Sequence, residues 1–131
     1  MNLLLDTHIW IWNDLQPDKL SSQVAKELAS ANNGLWLSPV SIWELSLLVE
    51  KKRLDFRQEL HLWVAESARD LHLKEAPFTW EVAYELRFAI LDHGDSADRI
   101  LVATARTYDM MLVTADDKLL RTRDLKVLPN A

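Results

Sequence analysis

The chain has no cysteine among its 131 residues, which excludes disulfides and every zinc site built on thiolates. Glycine occurs only at Gly34 and Gly94. Neither belongs to a repeated glycine pattern, so the phosphate-cradling loops of dinucleotide and nucleoside triphosphate sites are absent. Long apolar runs are missing too. The opening MNLLLDTHIWIW has no basic segment ahead of its apolar residues and meets an aspartate at position 6, so it reads as neither a signal peptide nor a membrane span. A soluble, cytoplasmic protein with no membrane partner is expected. Repeats, low-complexity tracts and linkers are also lacking. The length suits one domain over 1–131 with a core of its own. An excess of positive charge is the last absence. The formal net charge is −5, which argues against a broad basic face for nucleic acid, although an acidic pocket neutralised by a divalent metal would carry much of that charge. Basic residues gather only locally, at Lys51, Lys52 and Arg53 and at Lys118, Arg121, Arg123 and Lys126, and read as solvated faces.

What is present alternates. Leu3 to Leu5 and Met110 to Val113 are short unbroken apolar runs of the kind buried on both faces of a parallel sheet. Gly34 to Ser38 and Leu125 to Pro129 read as two further strands. Between them lie helical patterns. Ser21 or Ser22 caps one running to about Asn32, and Ser38 caps another with Pro39 in its first turn. Leu60 to Leu71 forms a third, Thr79 opens one to about Leu91, and Asp95 or Ser96 opens one to Thr107. Alternating strands and helices imply an α/β sandwich with a mainly parallel sheet, whose working site lies beyond the carboxyl ends of the strands. Asp6 and the pair Thr114 and Asp116 fall at such ends. Most of the six tryptophans are assigned to core or interface.

Two carboxylates sit where carboxylates are costly. Glu44 follows Val40 by four positions and precedes Leu47 and Leu48, inside an apolar stripe. Ile42, Leu45 and Val49 occupy the other side, so this helix is expected to be covered all round. Asp98 aligns with Leu101, Val102 and Ala105 in the same way, with Arg99 and Arg106 to one side. An ionised carboxylate taken out of water needs a cation, several hydrogen bonds or a raised pKa. If Asp6, Glu44, Asp98 and Asp116 converge at one sheet edge, a hard cation such as Mg²⁺ or Mn²⁺ resolves their repulsion. Such a pocket suits phosphodiester hydrolysis. Plainer readings exist for each residue: Asp6 as a turn former, Asp95 as a helix cap, Asp116 or Asp117 as the cap of a short helix, Thr114 as a strand end, and His8 and His93 as structural donors. Capping does not account for Glu44.

LLLDTHIWIW, SPVSIWELSLLVEKKRL, HGDSADRILVATA and LVTADD, in that order over almost the whole chain, resemble the successive motifs of PIN-domain ribonucleases, in particular the VapC-type toxins of type II toxin–antitoxin pairs. The resemblance implies a PIN-like three-layer sandwich, with a central, mainly parallel sheet of four to five strands flanked by helices. It places the family's acids on Asp6, Glu44, Asp98 and Asp116, its small residue after the first acid on Thr7 and its hydroxyl before the last on Thr114. Asp6 and Asp98 are then the metal ligands, with Glu44 and Asp116 direct or through water. Asp95 is an outer contact, and Arg99 balances charge or steers phosphate. The resemblance further implies Mg²⁺ or Mn²⁺, endoribonuclease activity leaving 5′-phosphate and 3′-hydroxyl ends, and inhibition of translation and growth. Its expected partners are an RNA substrate, a second copy in a homodimer, and a cognate antitoxin, a small DNA-binding protein that assembles with the toxin as a heterotetramer or larger. Ser96 and Lys52 depart from the family, where proline and glycine are common, and bear on loop shape. Two other readings stand beside this one. A receiver-like signalling domain also binds Mg²⁺ with strand-end acids, but no apolar run here ends in the required lysine. A non-catalytic interaction protein would carry the acids without using them.

Overall fold

The computed structural model describes residues 1–52, 58–91 and 95–131. Five strands form one sheet: β1 (Asn2–Leu5), β2 (Gly34–Leu37), β3 (Lys74–Glu75), β4 (Met111–Thr114) and β5 (Val127–Pro129). Their order is β3-β2-β1-β4-β5, and every neighbouring pair is parallel. The order therefore reverses between β1 and β4, the place where an open parallel sheet leaves a crevice beyond its carboxyl edge. Among the described residues seven α-helices connect the strands: α1 (Thr7–Leu15), α2 (Ser22–Ala29), α3 (Pro39–Glu50), α4 (Leu60–Asp70), α5 (Trp80–Glu85), α6 (Ser96–Tyr108) and α7 (Asp117–Leu120).

The sheet divides the core because side chains along a strand alternate between faces. On β1, Leu3 and Leu5 join Ile9 and Trp10 of α1, Val24 and Leu28 of α2, Leu45 of α3 and Trp63 of α4. Leu4 joins Val82 of α5, Leu101 and Val102 of α6 and Leu119 of α7 on the other face. This is the expected three-layer sandwich. Its largest buried anchor, Trp10, satisfies its ring nitrogen by donating to Ser67 Oγ at 2.8 Å and lies tilted on Trp63 with centroids 5.0 Å apart.

Element ends follow local chemistry. Ser21, Ser38, Thr79 and Asp95 each accept from a backbone amide at the start of their helices, and Pro39 occupies the first turn of α3. With glycine scarce, Lys52, His72, Asp109 and Asp124 take the left-handed conformation at φ between 51° and 59°. Lys52 thus stands in the backbone state that favours glycine, which gives its departure from the family a structural meaning.

Several expectations need correction. α1 was not foreseen, β3 is a two-residue exposed strand with no pattern of its own, and α5 gives way at Leu86 to a 3₁₀ turn, Leu86–Phe88, well before Leu91. α3 is not covered all round, since Ile42 and Trp43 are 39% and 54% exposed. Arg53 and His93 lie outside the described residues. Among the described residues no helix is long and apolar enough to cross a membrane.

Candidate active site

β1 ends at Leu5 and α1 begins at Thr7, so Asp6 is held at the turn between them, where its amide donates to the Val113 carbonyl of β4 at 3.0 Å. β4 ends at Thr114. Its buried hydroxyl donates to Asp6 Oδ2 at 2.6 Å and accepts from the Asp116 amide at 3.1 Å. One threonine thus ties the ends of the two strands flanking the switch point. The Thr114 proton goes to Asp6, not to the Asp116 side chain.

Thr7 orients the second acid. Its buried Oγ1 lies 2.6 Å from Glu44 Oε1 and 2.8 Å from Ser41 Oγ. A hydroxyl has one proton to give, so Thr7 donates to the carboxylate while Ser41, one turn before Glu44 on α3, completes the network. Ser41 escaped sequence reading, although its place three residues before Glu44 put it on the same helix face.

Asp98 projects from the first turn of α6. Asp95 caps that helix, its Oδ1 accepting from the Ala97 amide at 2.9 Å and the Asp98 amide at 3.4 Å. Asp116 caps α7 in the same manner, accepting from the Lys118 amide at 2.9 Å. Capping and facing the site prove compatible. Asp6, Glu44, Asp95, Asp98 and Asp116 all line one cleft of about 340 Å³ together with His8, Trp12 and Ala115, and no lysine or arginine is among its lining residues. His8 and Trp12 approach each other on α1, ring centroids 5.8 Å apart. Trp12, one helical turn after His8, lines the cleft while also packing against the core. Asp117 is exposed in the first turn of α7 and does not line the cleft.

Arg99 is the exception. Its Nε donates to the Ala89 carbonyl at 3.0 Å and its Nη2 to that of Leu86 at 2.8 Å. The guanidinium thus bonds two carbonyls of the 3₁₀ turn and its end, that of Leu86 also accepting from the Ala89 amide, and is absent from the cleft lining. The expectation that it balances the acids or steers phosphate is not met.

Crowded carboxylates with no lysine or arginine among the described lining residues resist ionisation. Burial, opposed by the hydrogen bond from Thr114, lifts the Asp6 carboxyl above its ordinary range. Burial also raises Glu44, with repulsion from Asp6 and Asp95 added and the Thr7 hydrogen bond opposing. Asp98 is pushed up to about 7, by burial first and then by Asp95, Asp6, Asp116 and Glu44. The donor set is all hard oxygen, which suits a divalent cation with oxygen preference. Among the described residues no three acidic or histidine side chains stand close enough to grip an ion as they are.

The PIN domain family model matches residues 3–125. Ribonuclease VapC22 of Mycobacterium tuberculosis is 30% identical over 120 residues, covering 89% of this chain and 88% of that protein. Among solved structures, VapBC2 from Rickettsia felis bound to a DNA fragment from its promoter superposes with a TM-score of 0.74 at 19% identity, over 98% of each chain. FitAcB from Neisseria gonorrhoeae superposes with a TM-score of 0.65 at 22% identity, over 98% of this chain and 97% of that one. With its doubly wound sheet, its carboxylate cleft at the switch point and a family match over nearly its whole length, the chain belongs to the PIN-domain family, among its VapC-type members.

Proposed function

We propose that this protein is a divalent-metal-dependent endoribonuclease, the toxin of a type II toxin–antitoxin pair that inhibits translation and growth. The observation that carries the reading is the convergence of Asp6, Glu44, Asp98 and Asp116 from four elements on one cleft whose described lining residues include no lysine or arginine. Asp6 and Asp98 would hold the ion, with Glu44 and Asp116 contributing directly or through water. Mg²⁺ or Mn²⁺ supplies positive charge for the phosphate and makes water a better nucleophile near neutral pH. The chain's own side chains do the positioning. Thr114 fixes Asp6 through Oδ2 and leaves Oδ1 for the cation. Thr7 fixes Glu44 through Oε1 and leaves Oε2 to accept the proton of the water that attacks phosphorus.

The large apolar side chains left in solvent support partners beyond RNA. Trp43 on α3 is 54% exposed, and Trp80 and Tyr84 on α5 are 80% and 65% exposed, residue types enriched at protein interfaces. A second copy and a cognate DNA-binding antitoxin are the partners we assign, assembled as a heterotetramer or larger. The relatives' VapBC and FitAB complexes motivate that assignment.

The test uses purified chain freed of any partner and an RNA substrate. Cleavage requires Mg²⁺ or Mn²⁺, stops in EDTA and leaves 5′-phosphate ends. Asp6→Asn and Glu44→Gln abolish it while circular dichroism and melting remain cooperative. Cleavage surviving in both variants refutes the assignment.

A further inference from the structure

A second cavity lies away from the carboxylates. It is a groove of about 550 Å³ between the turn that follows α5, the second half of α6 and the loop joining α7 to β5. Its charge reverses that of the chain: Arg106, Lys118, Arg121 and Arg123 line it against only Glu85 and Asp124, in a protein of net charge −5. Arg106 is already engaged. Its guanidinium donates to the carbonyls of Asp124 at 3.1 Å, Phe88 at 3.2 Å and Arg123, with Glu85 at 4.0 Å, so it ties the two walls together. Lys118, Arg121 and Arg123 are exposed, and among the described residues their side chains form no ion pair. Three like charges gathered on a short helix and its following loop repel one another, and an anion in the groove relieves that.

Groove and cleft share two elements. Asp116, the cap of α7, lines the cleft, and Lys118, two residues on, lines the groove. On α6, Asp98 lines the cleft and Arg106 the groove, eight residues or roughly 12 Å further along the helix axis. A polyanion that brings one phosphate to a cleft of five carboxylates meets repulsion there, and affinity has to come from cations alongside. We propose that this groove is the track for the RNA strand flanking the scissile bond, with Lys118, Arg121 and Arg123 engaging backbone phosphates. The inference rests on the ribonuclease reading above. That α6 and α7 contribute to both groove and cleft favours a nucleic acid strand over an acidic protein segment.

The test is a fluorescence anisotropy titration of a labelled single-stranded oligoribonucleotide, in EDTA and in an Asp6→Asn background so that the strand stays intact. The double variant Arg121→Ala, Arg123→Ala loses two phosphate contacts. Affinity falls on the order of tenfold at low salt, and the slope of log K against log salt flattens by about 1.4. Lysine at both positions restores affinity and slope. With Asp6 intact, the alanine pair raises KM and leaves kcat near wild type on saturating RNA. Unchanged affinity and slope overturn the groove while leaving the ribonuclease reading in place. So does a pair that binds RNA normally and loses affinity for an acidic antitoxin segment. Wild-type protein that neither binds nor cuts RNA overturns the ribonuclease reading itself, a separate outcome.

Discussion

Replacing Asp98 with asparagine is expected to stabilise the metal-free protein at alkaline pH, although it removes activity. Its carboxyl is carried from 3.8 to about 7 in the fold, so between those values the native state binds a proton the unfolded chain has released. Stability contributed by this group therefore falls as pH rises through that window and stays low above it. A shift of this size corresponds to roughly 4 kcal/mol at full ionisation, which solvent reaching the partly exposed side chain reduces to about 2 kcal/mol. Asparagine removes that cost. It also removes a negative charge from the first turn of α6, a loss of about 0.3–1 kcal/mol. The net gain, about 1–2 kcal/mol, raises Tm by roughly 4 °C in a domain of this size. The assay is thermal melting in EDTA at about pH 8 and about pH 4, where the gain appears in full at the first and shrinks to a small part at the second, close to the unfolded carboxyl's own pKa. Added Mg²⁺ reverses the ranking at about pH 8, because only the aspartate rewards ligation by deprotonated oxygen. A lower Tm for the variant at the alkaline pH, or the same increase at both, refutes the account of crowded carboxylates.

Three further outcomes test the surrounding structure. Thr7→Val leaves Glu44 Oε1 and Ser41 without their shared hydroxyl, so denaturant melts show a loss of about 1–3 kcal/mol and RNA cleavage drops roughly tenfold to a hundredfold. Lys52→Gly relieves a side chain from φ 59° and stabilises by about 0.5–1 kcal/mol in the same melts; destabilisation contradicts the assigned backbone state. Asp95→Asn keeps an acceptor for the α6 amides and reduces cleavage less than Asp98→Asn does, whereas equal loss from both places the two aspartates in one role.

Most of the fold was legible because its signals are local. Leu3 to Leu5 and Met110 to Val113 sit within one residue of β1 and β4, and the caps at Ser21, Ser38, Thr79 and Asp95 mark helix starts that the structure retains. The failures have physical reasons. β3 exists because Ala76 and its neighbours run beside β2, with the Ala76 amide donating to the Leu37 carbonyl. That pairing is set by tertiary contact and leaves no period in two exposed residues. α1 begins directly at Thr7 with no side-chain cap bond from Asp6, since the Asp6 carboxylate faces Thr114. The residue that would have announced the helix is occupied in the site.

The same distinction separates what was visible in the site from what was not. Glu44 and Asp98 stood out because each breaks an apolar stripe, a conflict within a single helix that sequence spacing displays. Which hydroxyl serves which acid depends on partners far apart in sequence, Thr114 on Asp6 and Thr7 on Glu44, and only the sheet order that sets β1 beside β4 brings the first pair together. Arg99 illustrates the limit from the other side. Its position next to Asp98 suggested a charge partner, yet adjacent residues on a helix point about 100° apart, and the carbonyls of Leu86 and Ala89 lie on the side to which it points. The basic residues near the C-terminus show the same effect with opposite consequence. Lys118, Arg121 and Arg123 form an unremarkable solvated run in sequence. Arg106, from another helix, closes the loop that carries them against the turn after α5, and only then do they line a groove beside a cleft of like-charged acids, where a phosphate backbone has a reason to lie.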